Sequence, residues 1–128
     1  MTWVLGIDIG GTNLKVGAVA SDGSRIVGSH SRATDPERGP EAVIADLADM
    51  AGVTLARLES EAPGARVAGV GAGAPGPLDT GRGVVLLTPN LGWKDLPLRD
   101  MLSESLGMPA AIDNDANCAI LGEVWVGA

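Results

Sequence analysis

Two short stretches of this chain combine residue types that could hold phosphate and move a proton. The first is Asp8-Ile9-Gly10-Gly11-Thr12. Adjacent glycines let a turn take positive φ and leave no Cβ in the way of a ligand. Backbone N–H groups in such a turn can converge on phosphate oxygens, with the Thr12 hydroxyl as a further donor. Asp8 stands just before the turn. A carboxylate beside bound phosphates is repelled unless a cation lies between them, so Asp8 points to Mg²⁺, held directly or through water. The plainer alternative is a β-hairpin whose glycines only make the turn.

The second stretch is Asp113-Asn114-Asp115. It follows an expected strand and opens an expected helix, and ligands of open α/β sheets gather beyond the carboxyl ends of strands. Asp or Asn before a helix also caps it, and one residue can cap while another faces a ligand. If a sugar hydroxyl attacks the γ-phosphate of ATP, a carboxylate here could orient that hydroxyl and accept its proton. Asn114 offers a donor and an acceptor, which suits sugar hydroxyls. Pro75-Gly76-Pro77 reads as a stiff loop, in which Gly76 either allows close approach by a ligand or simply makes the turn. Asn90 could contact a ligand or hold the Pro89 loop by an Asx-type bond.

The elements that must position these residues follow from the apolar pattern. Val4, Leu5, Ile7 and Ile9 read as a buried strand, and apolar residues resume at Leu14, Val16, Ala18 and Val19 as a returning one. Arg25 to Ser29 reads as a third antiparallel strand, and Arg32 to Pro40 as a loop. Val43, Ile44, Leu47, Ala51, Leu55 and Leu58 recur at helical spacing. They predict an amphipathic helix from Glu41 to about Ser60 that buries its stripe against a sheet. Arg66 to Gly73 is a small-residue strand, Val84 to Leu87 a short one, and Thr88 to Trp93 a loop. Pro97 to Leu106 reads as a helix ended by Gly107, Pro109 to Ile112 as a strand, and Asp113 to Trp125 as a final helix. That order predicts an α/β fold, a mixed sheet with helices on its faces.

At 128 residues the chain suits one domain. Phe and Tyr are absent, so Val, Leu, Ile and Ala must build the core. A formal net charge of −7 argues against a nucleic-acid or anionic-membrane partner. Cys118 is the only cysteine, which rules out an intrachain disulfide and gives no sign of an oxidising compartment. Cys118 and the lone His30 are too few for a zinc site. The N-terminus lacks the charged region of a signal peptide, and no apolar run approaches the ~20 residues of a membrane span. A soluble, cytoplasmic protein is expected.

DIGGT resembles the first phosphate-binding segment of the actin, sugar-kinase and heat-shock chaperone superfamily. There is no GxxxxGK[ST] motif, and a strand rather than a helix follows the glycines, so neither a Walker loop nor a Rossmann fingerprint fits. Four segments in order, GIDIGGTNLKVGAV (Gly6–Val19), GAGAPGPLD (Gly71–Asp79), TPNLGW (Thr88–Trp93) and IDNDANCAILGE (Ile112–Glu123), make the chain similar to the ROK family of sugar kinases, which also includes transcriptional repressors. The details look most like its ATP-dependent glucokinase branch, with N-acylmannosamine kinases close behind.

The resemblance implies an actin-like ATPase (ribonuclease H-like) lobe. Its sheet would be mixed and five-stranded, with an antiparallel meander and helices on both faces. It implies ATP and Mg²⁺ as cofactors and a hexose, glucose first, as the acceptor through its primary hydroxyl. Asp8, Gly10, Gly11 and Thr12 match the phosphate segment, with Asp8 near the metal. Lys15 either approaches phosphate or is a solvated strand lysine. Asp115 matches the catalytic base, Gly76, Asn90 and Asn114 match sugar-side positions, and Asn117, Gly122 and Glu123 match the segment joining two lobes. Kinases of this family have a second lobe carrying a second phosphate segment, the adenosine site, further sugar ligands and a Cys/His zinc loop. Residues 1–128 are therefore expected to be the N-terminal lobe alone, inactive in isolation, with zinc confined to the absent lobe and a homodimer for the full-length protein. A repressor would place a DNA-binding segment ahead of the first strand, which begins here near Trp3. Fructokinase within the family, a non-catalytic sugar-binding or assembly module, and a chaperone-type ATPase lobe are the alternatives. The last shares DIGGT but not PGPLD or IDNDAN.

Overall fold

The computed structural model describes Thr2–Ala116 and Ala119. Strands β1 (Thr2–Ile9), β2 (Asn13–Ala20) and β3 (Ile26–Ala33) form an antiparallel meander. Helix α1 (Pro40–Glu61) leads to β4 (Arg66–Gly73), which pairs parallel to β1. The short strands β5 (Leu78–Asp79), β6 (Val84–Thr88) and β7 (Trp93–Leu96) make a second, antiparallel sheet. Helix α2 (Leu98–Leu106) and β8 (Ala110–Asp113) follow, β8 pairing parallel to β4. The main sheet is thus mixed and five-stranded, in the order β3-β2-β1-β4-β8.

Alternation in the strands decides which face is dry. Leu5, Ile7 and Ile9 of β1, Leu14 and Val16 of β2, and Val70 and Ala72 of β4 enter one core. Helix α1 supplies Val43, Ile44, Leu47, Met50 and Ala51 to it, and α2 supplies Leu98 and Leu102. Full burial of each large aliphatic side chain is worth roughly 1.5–3 kcal/mol, so this face holds the sheet and both helices together. Gly107, left-handed at φ 68, ends α2 with its amide on the Ser103 carbonyl, the role expected of a glycine just past a helix. A third helical segment starts at Ala116 over the opposite face of the sheet. The rest of the expected final helix, with Asn117, Cys118, Gly122, Glu123 and Trp125, lies outside the described residues.

Three expectations change. The third strand runs to Ala33, well past Ser29, because it continues along β2. The strand at Val84 belongs to the small sheet rather than the main one. The loop expected over Thr88–Trp93 runs straight into a strand that starts at Trp93. β5 and β7 are too short to show a period, yet Val85, Leu91 and Trp93 from this region are buried in the main core. Among the described residues no helix is long and apolar enough to cross a membrane.

Candidate functional site

The carboxyl ends of the parallel strands β1, β4 and β8 lie at one edge of the sheet. Asp8 pairs with Gly73, Gly73 with Asp113, and Asp8 also faces Lys15 across the β1–β2 ladder. Partners in register share a face. Their chain neighbours Ile7, Ala72 and Ile112 belong to the core, so Lys15, Asp8, Gly73 and Asp113 occupy the opposite face. A cleft of about 420 Å³ opens there. Asp8 and Lys15 line one wall and Asn114, Asp115 and Ala116 the other, while Gly17, Val19 and Ile26 give it an apolar end. Ile26 is 65 % exposed.

The Asp115 wall is shaped by a residue that sequence reasoning did not single out. A Cβ on Gly73 would lie 2.6 Å from the Ala116 nitrogen and 3.0 Å from its Cα. The chain leaving Asp115 therefore crosses directly over Gly73, and only a missing side chain permits it. In RVAGVGAG nothing separates Gly73 from the other small strand residues. The Asp115 carbonyl accepts the Ala119 amide at 3.1 Å, so helical hydrogen bonding starts at Asp115. Capping position and cleft lining coincide in this one residue. The Asp113 Oδ1 accepts the Asn114 amide at 2.7 Å.

Asn114 is less versatile than its type suggests. Its Nδ2 donates to the Ala74 carbonyl at 3.1 Å and to the Gly76 carbonyl at 2.6 Å. Two carbonyl partners fix which end of the amide carries the nitrogen. The donors are thus spent on the Pro75–Pro77 loop, and Oδ1 is the end left to meet a ligand hydroxyl. Gly76 itself has φ +86, and a Cβ there would collide with the Leu87 carbonyl oxygen. Chain crowding by β6 and the left-handed backbone both account for glycine at this position.

The Gly10–Thr12 turn departs from its expected geometry. Neither Gly10 nor Gly11 has positive φ; what glycine provides here is space. A Cβ on Gly10 would lie 3.0 Å from the Asn13 carbonyl, and one on Gly11 would lie 3.3 Å from the Asn90 Cβ. The Gly10 amide donates to the Asn13 carbonyl at 2.9 Å, closing the turn. Among the described residues the Gly11 and Thr12 amides donate to no protein acceptor. The turn at Gly11 therefore comes close to the loop between β6 and β7. Gly10, Gly11, Thr12, Gly76 and Asn90 all stand apart from the cleft lining that joins Asp8, Lys15, Asn114 and Asp115.

The Pro89 loop is held by Thr88 rather than by an Asx bond from Asn90. The Leu91 and Gly92 amides donate to the Thr88 carbonyl at 3.0 and 2.8 Å, and the Trp93 amide to its hydroxyl at 3.3 Å. Thr34 is a second residue that the sequence did not flag. Fully buried, it donates its hydroxyl to the Gly10 carbonyl at 2.7 Å. Beyond it, the Arg38 guanidinium bonded to Asp46 at 2.6 Å holds the Asp46 carboxyl below its ordinary range.

Among the described residues no group of three or more His, Cys, Asp or Glu could hold a metal ion. A cation at Asp8 would take a single carboxylate and complete its shell with water and phosphate oxygens. That is the habit of Mg²⁺ bound with a nucleotide, and the exposed Asp8 beside the donor-bearing turn fits it.

The mixed five-stranded sheet, with its meander at one edge and helices packed on it, has the actin-like ATPase fold. Comparison with known proteins narrows the class. The ROK family model matches residues 4–128, and the chain belongs to the ROK family. It is 37 % identical over 126 residues to a glucokinase of Thermotoga maritima, covering 98 % of this chain and 37 % of the relative. A solved ROK hexokinase of Thermus thermophilus superposes with a TM-score of 0.73 at 39 % identity, over 90 % of this chain and 36 % of the other. A ROK family glucokinase of Streptomyces griseus, solved with glucose and AMPPNP, gives a TM-score of 0.73 at 35 % identity, over 98 % of this chain and 37 % of the other. The chain spans little more than a third of the length of each of these three relatives.

Proposed function

We propose that this chain is the N-terminal lobe of an ATP-dependent hexose kinase that phosphorylates a sugar primary hydroxyl, with glucose the first candidate. The observation that carries this reading is one cleft at the ends of parallel strands with Asp8 on one wall and Asp115 on the other. The glucokinases it is similar to, one of them solved with glucose and a nucleotide analogue, support the substrate class.

Asp115 would accept the hydroxyl proton as the sugar oxygen bonds to the γ-phosphorus and the bond from that phosphorus to the ADP oxygen breaks. The transition state of such a transfer is loose, so placing the two reactants matters at least as much as basicity. Asn114, fixed by its two carbonyl partners, presents Oδ1 to a sugar hydroxyl. The Gly11 and Thr12 amides would donate to phosphate oxygens, and Lys15 adds positive charge beside Asp8. Asp8 would hold Mg²⁺, which when bound neutralises charge between the outer phosphates.

The test is hexose-dependent ADP release by the complete kinase, compared for glucose, fructose and an N-acylmannosamine, with sugar 6-phosphate identified as product. Glucose is expected to give the highest kcat/KM, and residues 1–128 alone to give almost none, because differential transition-state binding needs both lobes. ATP turnover indifferent to any hexose sinks the reading.

A further inference from the structure

We infer that Thr34, braced by Arg38, is the residue that aims the Gly11 amide of the Gly10–Thr12 turn; this rests on the phosphate-binding role proposed above for that turn. Thr34 has no solvent exposure, yet it is polar, and both its donors go to the turn. Its hydroxyl donates to the Gly10 carbonyl at 2.7 Å, and its amide donates to the Thr12 carbonyl at 2.9 Å. Both peptides involved are trans. In a trans peptide the carbonyl and the following N–H point in opposite directions. Drawing the Gly10 oxygen toward Thr34 therefore turns the Gly11 N–H away from it. The Thr34 side chain thus orients the Gly10–Gly11 peptide, while the Thr34 amide anchors the far end of the turn at the Thr12 carbonyl.

Thr34 is in turn fixed from outside the sheet. Arg38 Nη2 donates to the Thr34 carbonyl at 3.0 Å and to Asp46 Oδ2 on α1 at 2.6 Å. Arg32 Nη1 holds the other Asp46 oxygen at 3.2 Å. The Arg38 and Gly39 amides close the short 3-10 turn at Pro36–Arg38 onto the Asp35 and Pro36 carbonyls. The turn's geometry is thereby referred to the long helix rather than left to two glycines. Thr34 touches no substrate in this scheme. It is a positioning residue, and its effect should fall on the nucleotide and spare the sugar.

The experiment compares Thr34→Val, nearly the same shape without the donor, and Thr34→Ser, which keeps it, in the complete kinase. Affinity for Mg-AMPPNP and for glucose is measured by calorimetry, with a thermal melt on each variant. Thr34→Val should bind Mg-AMPPNP about tenfold more weakly, the scale of one lost hydrogen bond, with glucose affinity unchanged, and Thr34→Ser should restore it. Mg-AMPPNP affinity within about twofold of wild type in Thr34→Val overturns the inference, as does a Thr34→Ser variant as weak as the valine. Should Thr34→Val fail to fold, the exposed Arg38→Met carries the test: a loss of about threefold supports the brace and none overturns it. A wild type that does not bind Mg-AMPPNP fails the phosphate reading itself, a result distinct from wild type and variant binding alike.

Discussion

The β1–β2 turn and the Asp115 wall of the cleft are held by different physics. The β1–β2 turn is tied by hydrogen bonds to Thr34, 24 residues away in the chain. The start of the helix at Asp115 rests instead on the bare Cα of Gly73, a contact of shape. A hydrogen-bonded turn can lose one donor and degrade by degrees. A wall set by van der Waals contact has no such reserve, because the Ala116 backbone has to move if a methyl group appears beneath it.

The largest effect tests the packed wall at its chemical end. Asp115→Asn in the complete kinase should lower kcat by about a hundredfold or more with the hexose KM little altered. Turnover within about tenfold of wild type removes Asp115 from the role of base. Gly73→Ala comes next. It should cost about 1–3 kcal/mol of stability, read from denaturant melts, through overpacking. Hexose phosphorylation should suffer more than Mg-AMPPNP binding. Equal losses on both ligands would erase the distinction between the wall and the turn.

The smallest effect lies behind the hydrogen-bonded turn. Bonding to Arg38 lowers the Asp46 carboxyl pKa in the folded chain from its ordinary 3.8. A folded-state pKa below the unfolded one gives stability that is fully present above the unfolded value and is lost as pH falls through the folded value. The gap in melting temperature between wild type and Asp46→Asn should therefore narrow as pH drops from about 5 to about 2. It should be small throughout, since water screens a pair at the surface. A gap independent of pH would mean that the ionised carboxylate adds nothing.

Much of the main sheet was legible in the sequence because its signals are local. Arg66–Gly73, the stripe of α1 and the Gly107 stop each declare themselves within a few residues. Asp8, Lys15, Asn114 and Asp115 were also identifiable from the chain, and one cleft brings all four together. Thr34 and Gly73 were not, because their importance is relational. A threonine between Ala33 and Asp35 looks like any loop residue until Gly10 arrives beside it. Gly73 looks like Gly69 or Gly71 until a chain segment some forty residues later passes over it. The same limit hid the division of labour in Asn114, whose donors are claimed by carbonyls at 74 and 76. It also hid the small sheet, whose strands Leu78–Asp79 and Trp93–Leu96 are too brief to carry a period.

The register Asp8–Gly73–Asp113 makes the sheet a ruler. Two inter-strand steps, each about 4.8 Å, set the backbones of the first and last of these residues roughly 10 Å apart, with β4 as a spacer that contributes only hydrogen atoms at the middle mark. Backbone hydrogen bonding fixes that interval, so evolution or an engineer could exchange the side chains at either mark without changing the separation. Altering the span itself would take a new strand or a lost one.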